Sequence, residues 1–318
     1  GRISETPQFA EWIYNYYCWT GDREFVMEFY PFLKKGMEWV LSESVDGLPY
    51  GYGAVEIGGF DCMVFDCAVD AVRGYEVLAK LAAELGLPDD AASFQKQFEE
   101  SLSSFNRLFW LEDEGRYDDM AGTREEILER TRSWKISLKA FPDEEEDGIY
   151  GDESCNFDKT PEDLEVQRRL RENLDRIANE AAKMNDTERR AFCFFGSSSA
   201  GLLLEKGYLP AERIQRALAN EVSYLSKPSE NPYSDMGIGT SRLMRQFAAE
   251  GNPVELWNAL QSMYRSFGAV CPGATPEYFP GKGCFCQIWN NEATMSVYTE
   301  CVLGIHPDAA HKRLVLRP

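Results

Sequence analysis

The sequence predicts an all-α protein whose successive helices pack as antiparallel hairpins that can close into a ring. Three observations support this fold class. Roughly ten segments repeat apolar residues every three to four positions, which is typical of amphipathic helices. Short turns or glycine-rich, aromatic loops join these segments, and strand signals are nearly absent. Consecutive helices with short links pack in opposite directions, so a closed ring would place alternate loops at one mouth.

In the first part of the chain, four helices are expected at residues 7–20, 24–43, 63–85 and 89–110. Glycines follow the first and third helices, where a left-handed residue commonly ends a helix. The fourth helix begins with two aspartates, which are favourable at the positive end of the helix dipole. A loop at 48–61 separates the second and third helices. It carries two carboxylates, Glu56 and Asp61, among four glycines and several aromatic residues.

The middle of the chain gives a weaker signal between residues 123 and 160. The acidic run Asp143–Asp147 is interpreted as a solvated loop, because adjacent carboxylates repel and point in different directions. Beyond it, Thr160 and Pro161 fit the cap and first position of a helix. Further helices are expected at 160–185, 189–206, 210–225, 242–251, 253–267 and 288–302, with a loop at 229–241 and a strand-like tail at 305–318.

The stretch from Cys271 to Trp289 is the most informative. Its prolines and glycines exclude a regular helix or central strand, yet it is too apolar for an ordinary solvated loop. A rigid, aromatic segment around the lone carboxylate of Glu277 would suit a site that holds a hydroxylated ligand. The alternative is a packed connection between helices with an exposed glutamate.

Composition narrows the classes of partner. The 318 residues carry a net charge of −20, which disfavours nucleic acid and anionic lipid and favours neutral substrates. No apolar run reaches the roughly 18–20 residues of a membrane span. The first residues include neither a methionine nor a signal-peptide pattern, so we expect a piece of a longer protein whose missing N-terminal part is a possible partner.

Nine cysteines without regular spacing, several in apolar helical contexts, indicate reduced thiols and favour a cytoplasmic location. The cysteines in apolar contexts are Cys62, Cys67, Cys193 and Cys301.

Histidine content restricts the chemistry. The only histidines, His306 and His311, lie in the tail, which disfavours a Ser-His-Asp system and a histidine-rich zinc site. Cys284 and Cys286 have no second cysteine pair in sequence reach. No metal or cofactor is therefore expected, and carboxylates are the plausible acid–base groups.

An ordered set of motifs resembles six-hairpin, (α/α)6-barrel glycosidases, especially bacterial amylo-α-1,6-glucosidase and glycogen-debranching-type proteins. The motifs are Tyr17-Cys-Trp-Thr-Gly-Asp22, Tyr30-Pro-Phe-Leu-Lys-Lys-Gly-Met-Glu-Trp39, Asn106-Arg-Leu-Phe-Trp110, Pro272-Gly-Ala-Thr-Pro-Glu277, Gln287-Ile-Trp289 and Leu303-Gly-Ile-His-Pro-Asp308. The resemblance implies about ten of the twelve barrel helices within residues 1–304, followed by the tail at 305–318.

The resemblance also implies catalytic roles. In glucoamylase-like members, the register matches Glu56 to the general acid and Glu277 to the general base. Asp61 is the alternative acid, because the first loop departs from the usual Trp-Glu-Glu pattern. Such a pair would catalyse inverting hydrolysis, for which two carboxyls stand about 6.5–9.5 Å apart.

Neighbouring side chains supply candidate contacts to an oligosaccharide substrate. Aromatic rings that could stack on sugars are Trp19, Tyr52, Tyr278 and Trp289, and candidate hydroxyl partners are Asp235, Gln287 and Asn290. For each residue the alternative is core packing. The expected function is glycoside hydrolysis at α-glucosidic or related linkages. The alternatives are a glycoside phosphorylase and a sugar-binding or structural module without catalysis.

Overall fold

The structure is a computed structural model that describes residues 3–51, 62–139, 161–194, 206–217, 237–277 and 284–317, together with residues 203 and 219. Of the described residues, 65% are helical and 11% lie in strands. The mostly helical prediction is therefore confirmed, but small sheets accompany the helices.

The helices agree closely with the sequence expectation in the first part of the chain. The fourth helix begins one residue earlier than expected, at Pro88, and the two aspartates follow in its first turn. Gly86 ends the preceding helix with a φ of 76°, a left-handed conformation that glycine adopts without steric cost. The helices are α1 (Glu5–Thr20), α2 (Arg23–Ser42), α3 (Phe65–Leu85), α4 (Pro88–Leu108), α5 (Arg124–Lys139), α6 (Pro161–Ala181), α7 (Gly237–Ala249), α8 (Pro253–Ser266) and α9 (Ile288–Ser296).

Short strands are present where the sequence shows almost no strand signal. They are β1 (Ser44–Val45), β2 (Leu48–Pro49), β3 (Met63–Val64), β4 (Trp110–Leu111), β5 (Arg116–Tyr117), β6 (Met120–Thr123), β7 (Arg189–Phe192), β8 (Ile305–Asp308) and β9 (Arg313–Leu316). β6 pairs antiparallel with both β3 and β7, and β8 pairs with β9 as a hairpin. The sequence indicated a strand only in the tail at 305–318, where β8 and β9 lie. Elsewhere the expectation of nearly no strands is wrong, because strands of two to four residues are too short to show alternation.

Three helix assignments need correction. Residues 189–192, expected to begin a helix, form β7 and pair with β6. Helix α5 occupies a region where no helix was recognised, and α7 begins at Gly237, inside the expected loop at 229–241. The acidic run Asp143–Asp147 and residues 221–236 lie outside the described residues.

The chain divides into two compact units. The first contains residues 1–11, 31–111 and 118–197. Within it, α3 packs along α4, and the rings of Phe65, Phe105 and Phe109 meet with centroid separations of 5.0–5.9 Å. Helix α5 packs against α6 in the same unit.

The second unit contains residues 12–30, 112–117 and 198–318. Its core forms between α7 and α8 and extends to a π-helical turn, Val297–Val302, that continues α9. Asn252 caps α8 by accepting a hydrogen bond from the backbone N–H of Glu255 at 3.2 Å. The buried core residues are Leu243, Met244, Phe247, Leu256, Ala259, Leu260, Met263 and Val297.

Among the described residues, none of the helices combines the length and the apolar character needed to cross a membrane. Cys62, Cys67 and Cys193 are buried, whereas Cys301 is half-buried.

Candidate functional site

Glu277 lies in the loop between α8 and α9, and its own loop holds its carboxylate. The Glu277 backbone N–H donates to the Cys284 carbonyl at 2.9 Å, and the Cys284 backbone N–H donates to Glu277 Oε2 at 3.1 Å. These two bonds close the neck of the segment between residues 277 and 284. The Glu277 side chain is half-buried, so it is held in place but still reaches solvent.

The residues before Glu277 are tied to the start of α9. Asn291 Oδ1 accepts hydrogen bonds from the Thr275 backbone N–H at 3.2 Å and from Thr275 Oγ1 at 3.0 Å. The Gln287 backbone N–H donates to the Thr275 carbonyl at 2.9 Å. Asn290 Nδ2 donates to the Pro276 carbonyl at 2.8 Å. The four bonds fix the backbone on the N-terminal side of Glu277.

Gln287 and Asn290, both predicted substrate contacts, are buried, with 6% and 0% exposure. Asn290 Oδ1 is buried and has no hydrogen-bond partner among the described residues. Buried polar atoms usually have partners, so an acceptor without a partner beside Pro276 is unusual. The hydrogen bond that Asn290 donates to the Pro276 carbonyl helps to position the Glu277 loop.

The two tryptophans that were predicted to contact sugar rings, Trp19 and Trp289, lie in different helices. Trp19, near the C-terminal end of α1, is 53% exposed and can present a ring face to solvent. The backbone of Trp289 belongs to the first turn of α9. The side chain of Trp289 lies outside the described part of the structure, as do five further predicted site residues: Tyr52, Glu56, Asp61, Asp235 and Tyr278.

The other glycine-rich, aromatic loop is also closed at its neck. Gly51, before the undescribed residues, donates its backbone N–H to the carbonyl of Cys62, directly after them, at 3.3 Å. Burial raises the pKa of Cys62 to about 12, so this thiol stays protonated at neutral pH and is a poor nucleophile.

Tyr50 lies directly before Gly51, at the start of this second loop. Its hydroxyl accepts a hydrogen bond from Arg189 Nη1 at 2.6 Å. Burial is the main cause of the raised pKa of Tyr50, and Glu126 adds to it. Sequence reasoning missed Tyr50, Arg189, Thr275 and Asn291. The only local signal was the position of Thr275 and Asn291 next to residues that were singled out.

Similarity to known proteins is found at the level of the fold. Neither a family model nor a curated protein matches the chain. Among solved structures, the chain is similar to a GH78 family rhamnosidase, a glycoside hydrolase, from Bacillus sp. GL1. The TM-score is 0.57 at 14% identity, and the match covers 93% of this chain. The chain spans 26% of the length of the rhamnosidase, and at this identity the similarity establishes the fold alone.

Proposed function

We propose that this protein is a glycoside hydrolase that acts on α-glucosidic or related oligosaccharide linkages by an inverting mechanism. The proposal includes a helical (α/α)6 toroid, with residues 1–304 in the barrel and 305–318 as its tail. The observation that carries it is the similarity of 93% of the chain to the fold of a glycoside hydrolase. The fixed, half-buried carboxylate of Glu277 adds support.

In the proposed reaction, Glu56 protonates the glycosidic oxygen and Glu277 activates a water molecule on the opposite face of the sugar. Asp61 is the alternative acid. Inversion needs a gap of about 6.5–9.5 Å between the two carboxyls, because a water molecule must fit beside the anomeric carbon. Holding Glu277 by a backbone N–H suits the base, since a general base must keep its position as the transition state forms.

The proposed substrate is a neutral oligosaccharide, in keeping with the net charge of −20. Trp19, Tyr52, Tyr278 and Trp289 are proposed to stack on sugar rings. Asp235, Gln287 and Asn290 are proposed to contact hydroxyl groups. Asn290 has the best structural argument, because its buried Oδ1 has no partner among the described residues.

The test is to replace Glu277 and Glu56 singly by glutamine in the full-length protein. The assay substrates are malto-oligosaccharides and aryl α-glucosides and α-rhamnosides. Each variant should lower kcat by about 10²–10⁴-fold, the usual contribution of one acid–base group. Glu250→Gln is the matched control, because exposed Glu250 directly follows α7 in the same unit as Glu277. Turnover in both variants equal to that of the Glu250→Gln control would reject the assignment.

A sugar-binding module without catalysis would give a different result. Calorimetry with the same oligosaccharides would show binding, while the unmodified protein would show no turnover. That outcome would replace the hydrolase proposal.

A further inference from the structure

A cleft with a volume of about 320 Å³ opens in the first unit, at the end of α4. The turn after β1 and the strands β2, β3, β4 and β7 contribute to its walls. Its apolar lining includes Leu48, Met63 and Trp110, all of them buried. The volume is within the range of small-molecule sites.

Three arginines line this cleft: Arg107, Arg189 and Arg190. They converge here although acidic residues outnumber basic ones in the chain, 53 to 33. A guanidinium group presents five N–H donors in a planar fork that matches carboxylate and phosphate oxygens.

Contacts with Tyr50 and Glu126 orient the guanidinium group of Arg189. Its Nη1 donates to the Tyr50 hydroxyl at 2.6 Å and to Glu126 Oε2 at 3.2 Å. Its guanidinium carbon lies 5.3 Å from the centroid of the Tyr50 ring, a cation–π distance. These contacts use one terminal nitrogen. Arg189 Nε and Nη2 therefore have no hydrogen-bond partner among the described residues, although the group is already oriented.

The other two arginines repeat the pattern. Arg190 Nη2 donates to Glu180 Oε2 at 3.3 Å. Arg107 Nη2 donates to Ser104 Oγ at 3.3 Å and lies 3.9 Å from a carboxylate oxygen of Asp46. In both residues Nε and Nη1 make no hydrogen bond within the described part of the chain. Each of the three guanidiniums thus keeps a pair of adjacent donors.

The two acidic residues that line the cleft, Asp46 and Glu188, do not occupy the remaining N–H donors of the arginines. Asp46 lies beside Arg107, and Glu188 Oε2 accepts the backbone N–H of Asn185 at 3.3 Å. Glu126 and Glu180, which pair with Arg189 and Arg190, do not line the cleft. The two lining carboxylates each have a neighbouring donor already, and neither uses the paired N–H groups that the guanidiniums keep. A ligand rich in acceptors and carrying negative charge would use the remaining N–H groups.

We propose that this cleft binds a small oxyanion, either free or as the phosphate or carboxylate group of a small molecule. The site goes beyond the glycosidase proposal and does not depend on it, because its test measures binding without turnover.

The experiment is isothermal titration of the full chain with inorganic phosphate and, separately, with acetate, at an ionic strength held constant with chloride. The informative variants are Arg107→Gln, Arg190→Gln and the double variant. Their side chains are 68% and 38% exposed, so their loss should not unfold the unit. The matched control is Arg132→Gln, with the same change of charge as either single variant at a 71% exposed position on α5 outside the cleft.

We expect binding of phosphate or acetate to weaken at least tenfold in the double variant and to stay unchanged in Arg132→Gln. Preference for phosphate or for acetate identifies which group the cleft selects. Absence of measurable binding at millimolar concentrations, or equal weakening in Arg132→Gln, would overturn the proposal. Circular dichroism checks the fold of each variant, and Arg107→Gln alone provides the test if the double variant does not fold.

Discussion

At the scale of single residues, the Glu277 loop depends on side chains that are not themselves catalytic candidates. Asn291 Oδ1 accepts two hydrogen bonds from Thr275, one from its backbone and one from its side chain. Thr275 is only 2% exposed, so its backbone N–H would have little access to water if Asn291 were removed. An unsatisfied buried donor costs more than the net value of the bond. Asn291 is therefore expected to be a strong determinant of loop order.

A double-mutant cycle tests this anchor. Asn291→Ala should lower the free energy of unfolding by about 1–3 kcal/mol, because it leaves the Thr275 N–H without an acceptor. Thr275→Val removes only the hydroxyl bond and should cost about 1 kcal/mol. The cost of Thr275→Val should fall by at least about 0.5 kcal/mol in the Asn291→Ala background, measured by urea unfolding. Strictly additive effects would show that the two residues do not interact.

The half-buried side chain of Tyr50 predicts a dependence of stability on alkaline pH. Its pKa is raised in the folded protein, chiefly by burial. A raised pKa means that the stability contributed by the protonated phenol is complete below the unfolded value of about 10 and falls as pH rises above it. Tyr50→Phe should be less stable than wild type at pH 7, because Arg189 loses a hydrogen-bond partner.

The difference between the two proteins should shrink as the pH is raised above about 10. Thermal unfolding of both proteins at several pH values between about 7 and 11 measures this difference in stability. Because both proteins contain the same other titratable groups, the effects of those groups cancel in the difference. A constant difference over this range would contradict a raised pKa of Tyr50 in the folded protein.

At the scale of elements, the close approach of α3 to neighbouring helices depends on Gly74. A Cβ at Gly74 would lie 2.7 Å from both Pro7 Cβ and Met37 Cε. A Cβ at Gly36 would meet only the Thr6 methyl, also at 2.7 Å. Both glycines are helical, so replacement by alanine gains about 1 kcal/mol of helix propensity at either site. The difference in unfolding free energy between the two alanine variants therefore measures the cost of close packing at Gly74.

We expect Gly74→Ala to lower the free energy of unfolding by about 1–2 kcal/mol, because the rigid ring of Pro7 cannot move aside and overpacking exceeds the gain in propensity. Gly36→Ala, the matched control, should raise the free energy of unfolding by up to about 1 kcal/mol, because the Thr6 side chain can rotate aside and the gain in helix propensity remains. Chemical denaturation measures both. A stabilised Gly74→Ala would show that α3 does not approach its neighbours this closely.

The elements also show what sequence patterns could predict. Helices α1 to α4 follow from apolar periodicity and from stop signals such as Gly86, which are local in the chain. Strand β7 could not be predicted from local patterns. Arg189–Phe192 becomes a strand by pairing with β6, whose residues are far away in the sequence. The start of α7 at Gly237 was missed because glycines normally indicate a loop.

The candidate site was predicted less completely than the helices. The rigid character of the Glu277 loop could be inferred from its prolines and glycines. Its anchors could not, because Thr275 and Asn291 have no distinctive motif and act through a hydrogen-bond geometry that only coordinates reveal. The arginine cleft also escaped prediction, since its three guanidiniums come from α4 and β7, about 80 residues apart.

At the scale of the whole molecule, the net charge of −20 is a source of self-repulsion that opposes the folded state. Salt screens charges that are separated by more than a Debye length of about 10 Å at 0.1 M. Raising NaCl from about 0.02 to about 0.2 M should therefore raise the Tm by a few degrees. Scanning calorimetry at constant pH measures the change. A fall in Tm would mean that attractive surface ion pairs outweigh the repulsion.

The most direct test of the account is the distance between the carboxyl carbons of Glu56 and Glu277 in a crystal structure of the full-length protein with a bound oligosaccharide. Inverting hydrolysis by this pair requires a separation of about 6.5–9.5 Å, with the glycosidic bond between the two groups. Carboxyls more than about twice that far apart could not act on one bond, and the proposed mechanism would be contradicted.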